Sequence, residues 1–177
     1  MKRVAGFIYK GILFLALLFS FSLGLSDTSY SNNVYQIPYY SCFINASYHY
    51  RVNPEILISI ALVESKMNPR AYNVNKNKTY DVGIMQINSS WLPYLRKFGV
   101  RMDHLWDPCY NIHIGAMVLR HCMNIYGNTW KAIDCYNKGT KARKSSQYVL
   151  RVYETFRSIS EKVTQVTSSG FTLDGLM

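Results

Sequence analysis

Residues 53–88 read NPEILISIALVESKMNPRAYNVNKNKTYDVGIMQIN, and the division of this stretch decides the fold. Asn53-Pro54-Glu55 offers an N-cap, a proline at the first helical position and an acid in the first turn. Seven of the eight positions from Ile56 to Val63 are apolar, Ser59 being the exception. A helix apolar nearly all round is buried on most sides. It should run to about Met67, where Asn68-Pro69 closes it. Residues 72–82 (YNVNKNKTYDV) are polar with Asn and Lys at the centre, which predicts a loop or small hairpin.

Further helices are marked on either side of this stretch. The first is expected from Cys42 to about Arg51. Asn88 or Ser89 can cap one through Trp91 and Leu95. Asp107-Pro108 repeats the cap-plus-proline signal for a longer helix ending at Gly127. Asn128 can cap the next, through Trp130 to about Tyr136, and a last helix is expected over about 145–158. The pattern predicts an all-α dominated, α+β chain: a compact helical domain with one small excursion around 72–82. Trp91, Trp106 and Trp130 fall at helical spacing and read as core, so none is assigned to a binding surface.

Glu64 directly follows the apolar run. It lies seven residues past Leu57, four past Ile60 and three past Ala61, so it shares their face. Burying an ionised carboxylate without a partner costs several kcal/mol. Such a group holds its proton to a higher pH instead, which is what a general acid needs near neutrality. On helix position alone, a helix-end glutamate that turns outward, or pairs with Lys66 or a cap, is the better explanation. The surrounding sequence has to decide.

The first residues read as a targeting segment. Lys2, Arg3 and Lys10 precede the uncharged apolar run from Gly11 to Phe21, and the small residues Ser22, Gly24 and Ser26 follow. That order predicts a secretory signal peptide over 1–26, the run being short for a membrane span; an uncleaved anchor is the alternative. Residues 27–41 read as a mature N-terminal extension, 42–157 as the patterned domain, and 158–177 as a flexible C-terminal tail. Cleavage after Ser26 leaves 177 − 26 = 151 residues, enough for one domain. It removes three cations, so the net charge falls from +10 to +7. A basic exported protein suits an anionic partner, and both the cell wall and membrane headgroups qualify. The scattered Lys and Arg residues, the lack of any recognition-module or zinc-finger signature, and export make nucleic acid a poor candidate.

Cys42, Cys109, Cys122 and Cys135 all lie beyond the leader. In an exported chain an even count reads as disulfides, and four cysteines allow three pairings. Without a C-x-x-C or H-E-x-x-H spacing, no metal or other cofactor is expected.

Three ordered motifs carry a resemblance: Glu64-Ser65, then Gly83-Ile84-Met85-Gln86-Ile87-Asn88, then Ala132-Ile133-Asp134-Cys135-Tyr136-Asn137-Lys138-Gly139. Together they resemble the lysozyme-like lytic transglycosylases, the third motif departing by Cys135 where the family usually has Ala. The likeness is strongest to the small specialised enzymes of type III secretion systems, conjugative plasmids and pili. Those share a Cys soon after the leader and an Asp-Pro-Cys-x-Asn, here Asp107-Pro108-Cys109-Tyr110-Asn111. The resemblance covers roughly 42–157. It implies a lysozyme-like fold with a cleft over the Glu64 helix, a Cys42–Cys109 disulfide, and with it Cys122–Cys135.

The resemblance also implies a function: cleavage of the MurNAc–GlcNAc β-1,4 bond of peptidoglycan to leave a 1,6-anhydro-muramyl end. Glu64 is the implied catalytic residue. Ser65, Asp81, Gly83, Met85, Gln86, Asn88, Tyr136 and Asn137 are implied to support it or bind substrate, Met85 as a flexible apolar wall and Tyr136 as the orienter of Glu64. The implied partners are glycan strands and components of a type III or type IV secretion, conjugation or pilus apparatus. A monomer in the periplasm of a Gram-negative bacterium is expected. Animal-type lysozymes are similar too, and place a second carboxylate 17 residues after their glutamate, where Asp81 stands (81 − 64 = 17). A muramidase using Glu64 and Asp81 is therefore the nearest alternative. An inactive glycan-binding assembly factor is the alternative from another class.

Overall fold

The structure, a computed structural model, describes residues 37–169, with side chains through 165. The leader, residues 27–36 of the extension and residues 170–177 lie outside the described residues. Six α-helices and one small sheet are described: α1 (Tyr40–Tyr50), α2 (Pro54–Ser65), β1 (Tyr72–Val74), β2 (Tyr80–Val82), β3 (Ile87–Asn88), α3 (Leu92–Leu95), α4 (Pro108–Tyr126), α5 (Trp130–Lys138) and α6 (Gln147–Ser169). The sheet is antiparallel in the order β1-β2-β3. The α-dominated reading of the sequence, a helical domain with one small excursion, is thus the fold.

Helix α2 is the central element because its composition leaves it no solvent face. Leu57, Ile58, Ser59, Ile60 and Ala61 are buried, and the Ser59 hydroxyl is accommodated by donating to the Glu55 carbonyl at 2.6 Å. Asn53 Oδ1 accepts the Ile56 N–H at 2.8 Å, and Asp107 Oδ1 accepts the Tyr110 N–H at 2.7 Å. Both cap-plus-proline signals therefore open helices as the sequence predicts. Helix α2 ends slightly early, at Ser65, because Lys66 and Met67 take left-handed φ values of 54° and 66°. Capping of α5 also differs: Thr129, not Asn128, stands at its N-cap position.

Helix α6 packs along α2, while α4 packs against α1 and α5. The expectation of a loose chain from residue 158 is corrected here, because α6 continues to Ser169. Tyr148, Val152, Ile159 and Val163 recur at helical spacing. Val152 is fully buried, Ile159 packs on the core, and the Ser160 hydroxyl donates to Glu55 Oε2 at 2.9 Å. The start of the domain moves as well. Tyr40 and Ser41 already belong to α1, and Ile37 and Tyr40 pack on the core.

The disulfides join Cys42 to Cys109 and Cys122 to Cys135. The second closes a separation of 13 residues between α4 and α5, with Cα atoms 5.7 Å apart. Constraining the unfolded chain over that loop contributes about 3 kcal/mol. Replacing Cys122 and Cys135 together by alanine should lower unfolding free energy by about that amount, read from the urea midpoint.

Candidate active site

The sequence between α2 and α4 folds as it does because one buried amide organises it. Asn111, fully buried on α4, accepts the Met85 N–H at 2.8 Å and donates to the carbonyls of Val82 (2.9 Å) and Leu105 (2.8 Å). Gly83 adopts φ +77°, and a Cβ there would meet the Asn111 amide and lie 2.8 Å from the Leu105 carbonyl. The glycine is therefore required both for its backbone angle and for the close approach. Met85 packs in the same way onto Gly115 of α4, where a Cβ would sit 2.8 Å from its side chain.

The expectation for Met85 as an apolar wall of the cleft is corrected by this packing. Its side chain is fully buried, and what it offers the site is a carbonyl. The Tyr136 hydroxyl donates to that carbonyl at 2.7 Å rather than to Glu64. Ser65 ties the end of α2 to the same segment, its hydroxyl donating to the Ile84 carbonyl at 2.7 Å and weakly to Ala61 at 3.3 Å. Gln86, at φ +49°, turns its amide back to donate to the carbonyls of Ala71 (3.1 Å) and Gly83 (2.9 Å).

Glu64 stands at the floor of a cleft of about 830 Å³ lined by hairpin residues Asn75 to Asn88 on one side and by residues of α4 and α5 on the other. Its Oε1 accepts the Tyr148 hydroxyl at 2.6 Å. Burial pushes the Glu64 carboxyl up to about 7. The Tyr148 hydrogen bond and the charge of Arg151 pull it down, and the charge of Asp81 adds to the rise. Burial next to Glu64 likewise raises the phenols of Tyr136 and Tyr148 well above their ordinary value, so both stay donors. With Oε1 accepting from Tyr148, the proton of neutral Glu64 belongs on Oε2.

Asp81 sits on β2 between two asparagines in register: Asn73 on β1 and Asn88 on β3. Its Oδ1 accepts from Asn88 Nδ2 at 2.7 Å, and its Oδ2 from Asn75 at 2.8 Å and Asn73 at 3.4 Å. The carboxylate is held by amides on both oxygens. Asn88 also caps the following turn through the Ser90 N–H. Asn137 lines the opposite wall.

Three residues of the site were not legible as such in the sequence. Tyr148 reaches Glu64 from 84 residues away, and no local pattern in the sequence marks it. Trp91, read as core, lines the cleft with His121 edge-on at 5.4 Å, and Thr79 lines it as well. Trp106 is a second correction to the core reading: it is 38% exposed and lies against Tyr72. Among the described residues no cluster of three or more His, Cys, Asp or Glu could hold a metal ion. Tyr148→Phe should raise the proton affinity of Glu64, because it removes the bond that favours the ionised form. The expected result is a loss of about tenfold in kcat with the basic limb of the pH–rate profile moved upward.

A carboxyl raised to about 7 by burial, in an open cleft lined by Asn75, Asn88, Asn137 and Trp91 on a helical frame, suits an enzyme that cleaves glycans by acid catalysis. Residues 41–151 match the Transglycosylase SLT domain family, and the chain belongs to it: it is a peptidoglycan lytic transglycosylase. Invasion protein IagB of Salmonella typhi is 36% identical over 124 residues, which cover 68% of this chain and 78% of the relative. Protein IpgF of Shigella flexneri is 34% identical over 128 residues, 70% of this chain and 84% of the relative. A peptidoglycan-binding-like protein of Escherichia coli O157:H7 is 30% identical over 155 residues, 81% and 89%. The fold is that of an inactive variant of the lytic transglycosylase Slt from Pseudomonas aeruginosa, with a TM-score of 0.51 and 18% identity over 75% of this chain. This chain spans only 24% of that larger one.

Proposed function

We propose that Glu64 alone supplies both proton transfers of the reaction, and that the product carries a 1,6-anhydro-muramyl end. Glu64 Oε2 gives its proton to the glycosidic oxygen as the bond to C1 of N-acetylmuramic acid breaks. The positive charge developing at C1 is met by the sugar's own acetamido group. The Glu64 carboxylate then takes the proton of the sugar's primary hydroxyl as its oxygen attacks C1, which restores the acid and closes the anhydro ring. One carboxyl suffices for this route, whereas a retaining hydrolase needs a second, free to attack from about 5 Å away.

The observation that carries this reading is the difference between the two carboxyls. Glu64 is pushed up to about 7 by burial, whereas Asp81 has both oxygens engaged by asparagine amides. Held by amides on both oxygens, Asp81 is well placed to steady the hairpin wall, and the one-carboxyl route asks no more of it. Gln86, Asn88 and Asn137 border the space where acetamido groups and backbone oxygens of the glycan would lie, and Trp91 offers a face for a sugar ring. Ser65 and Gly83 shape the loop beneath.

Asp81→Asn is expected to cost about 10- to 100-fold, or about 1.4 to 2.7 kcal/mol. Removing its charge also takes away one cause of the raised Glu64 value. The basic limb of the pH profile should therefore move down, opposite in sign to Tyr148→Phe. Mass analysis of the digest tests the reaction class, because an anhydro product is lighter than a hydrolysed one by one water. Reducing ends in the wild-type digest, with Asp81→Asn as inactive as Glu64→Gln, would instead make the enzyme a muramidase.

The signal-peptide pattern of 1–26 supports a location outside the cytoplasmic membrane, in the periplasm. The likeness to an invasion protein supports local opening of the wall for a secretion or conjugation apparatus.

A further inference from the structure

Asp134 is a fully buried carboxylate that the reaction does not use. It lies on α5 two residues before Tyr136. Its Oδ2 accepts the Arg143 N–H at 2.6 Å, and its Oδ1 accepts the Ser146 hydroxyl at 2.6 Å and lies 3.3 Å from Lys138 Nζ. Burial raises this carboxyl, but the Ser146 and Arg143 hydrogen bonds and Lys138 together bring it below its ordinary value, so it stays charged while the enzyme works. A charge of this kind holds its partners firmly, because losing one leaves a buried ion under-solvated.

What it holds is the entry into α6. Arg143 and Ser146 bracket the connection between α5 and α6, and the Ser146 hydroxyl oxygen accepts the Val149 N–H at 3.2 Å. The Ser146 carbonyl accepts the Leu150 N–H at 3.0 Å, which begins the helix. Tyr148 lies in this first turn, 4% exposed, with its hydroxyl on Glu64. The path from Asp134 to the reacting carboxyl is therefore short: buried carboxylate, Ser146, first turn of α6, Tyr148, Glu64.

We propose that Asp134 is a positioning residue for the reaction, setting the start of α6 through Arg143 and Ser146 so that the Tyr148 hydroxyl meets Glu64. The inference rests on the reading of Glu64 as the proton donor. It explains why an acid occupies a fully buried position within the motif that carries Tyr136 and Asn137. It also separates two jobs on one helix, with Tyr136 securing the Met85 segment and Asp134 securing α6.

The test compares Asp134→Ala, Ser146→Ala, Tyr148→Phe and the double variant Asp134→Ala/Tyr148→Phe in the full chain on purified peptidoglycan. Assays run across the neutral pH range at temperatures well below each melting point. Asp134→Ala should lower kcat about tenfold with KM within about twofold, and move the basic limb upward as Tyr148→Phe does. Ser146→Ala should move it the same way by less. In the Tyr148→Phe background, Asp134→Ala should cost no more than about a further twofold, because its effect passes through the missing hydroxyl. Losses that multiply in the double variant, or a limb that does not move, would overturn the inference. If Asp134→Ala fails to fold, Ser146→Ala singly and with Tyr148→Phe gives the same readings. Glu64→Gln run alongside keeps the two claims apart: activity there defeats the reading of Glu64, whereas an unmoved limb with Glu64→Gln inactive defeats only the role of Asp134.

Discussion

Glu64→Gln should abolish cleavage while leaving the protein folded and, above neutrality, more stable than wild type. Glutamine keeps the shape and can accept the Tyr148 hydroxyl, but it has no proton to give the leaving oxygen and cannot take one from the attacking hydroxyl. Losing both steps should cost several orders of magnitude in rate. A folded variant that still cleared peptidoglycan at a tenth or more of the wild-type rate would defeat the assignment.

The stability change has a definite sign. Glu64 titrates at about 7 in the folded chain against an ordinary 4.5, so between those values the folded state binds more protons than the unfolded one. Wild-type stability must then fall as pH rises through that window. The glutamine variant lacks this loss. Its advantage should be absent at pH 4 and level off above pH 7 at about 1 to 3 kcal/mol, allowing for solvent screening in the open cleft. Urea midpoints of the two proteins at acid and alkaline pH check it. The same titration predicts that wild-type activity declines as pH rises through about 7, as Glu64 loses its proton.

Asn111→Ala should be the most damaging single change away from the cleft. Three buried main-chain groups, the Met85 N–H and the carbonyls of Val82 and Leu105, depend on that one side chain. Alanine leaves all three without a partner and opens a void, at a cost of about 3 to 5 kcal/mol. That is a large share of a typical domain's stability. Activity should fall further than stability explains, because the segment released carries the Met85 carbonyl that Tyr136 grips. A denaturant series with the specific activity of the folded fraction measures both; an unchanged midpoint would show that the segment is held by something else.

The asparagine also explains one motif that the sequence presents only as a likeness. Asp107-Pro108 starts α4 as a local cap, Cys109 ties it to α1, and Asn111 then reaches across to the Gly83–Met85 turn. The first of these is readable from adjacent residues. The last is a contact spanning 26 residues, and no local rule announces it.

That contrast runs through the molecule. By itself the sequence determined that the helices form, the caps of α2 and α4, the hairpin and the acid at the end of α2. Each of these depends on neighbours within a turn or two: Asn53 on Ile56, Asp107 on Tyr110, the apolar run on its own period. Tertiary structure decided which groups that acid meets. Tyr148 approaches Glu64 only because α6 lies along α2, and Trp91 lines the cleft edge-on to His121 of α4. Met85, grouped by its motif with the binding residues, is drawn inward because Gly115 leaves room for it. Periodicity reports which face of an element is buried. It does not report which partner buries that face, because the partner is chosen by packing across the whole domain.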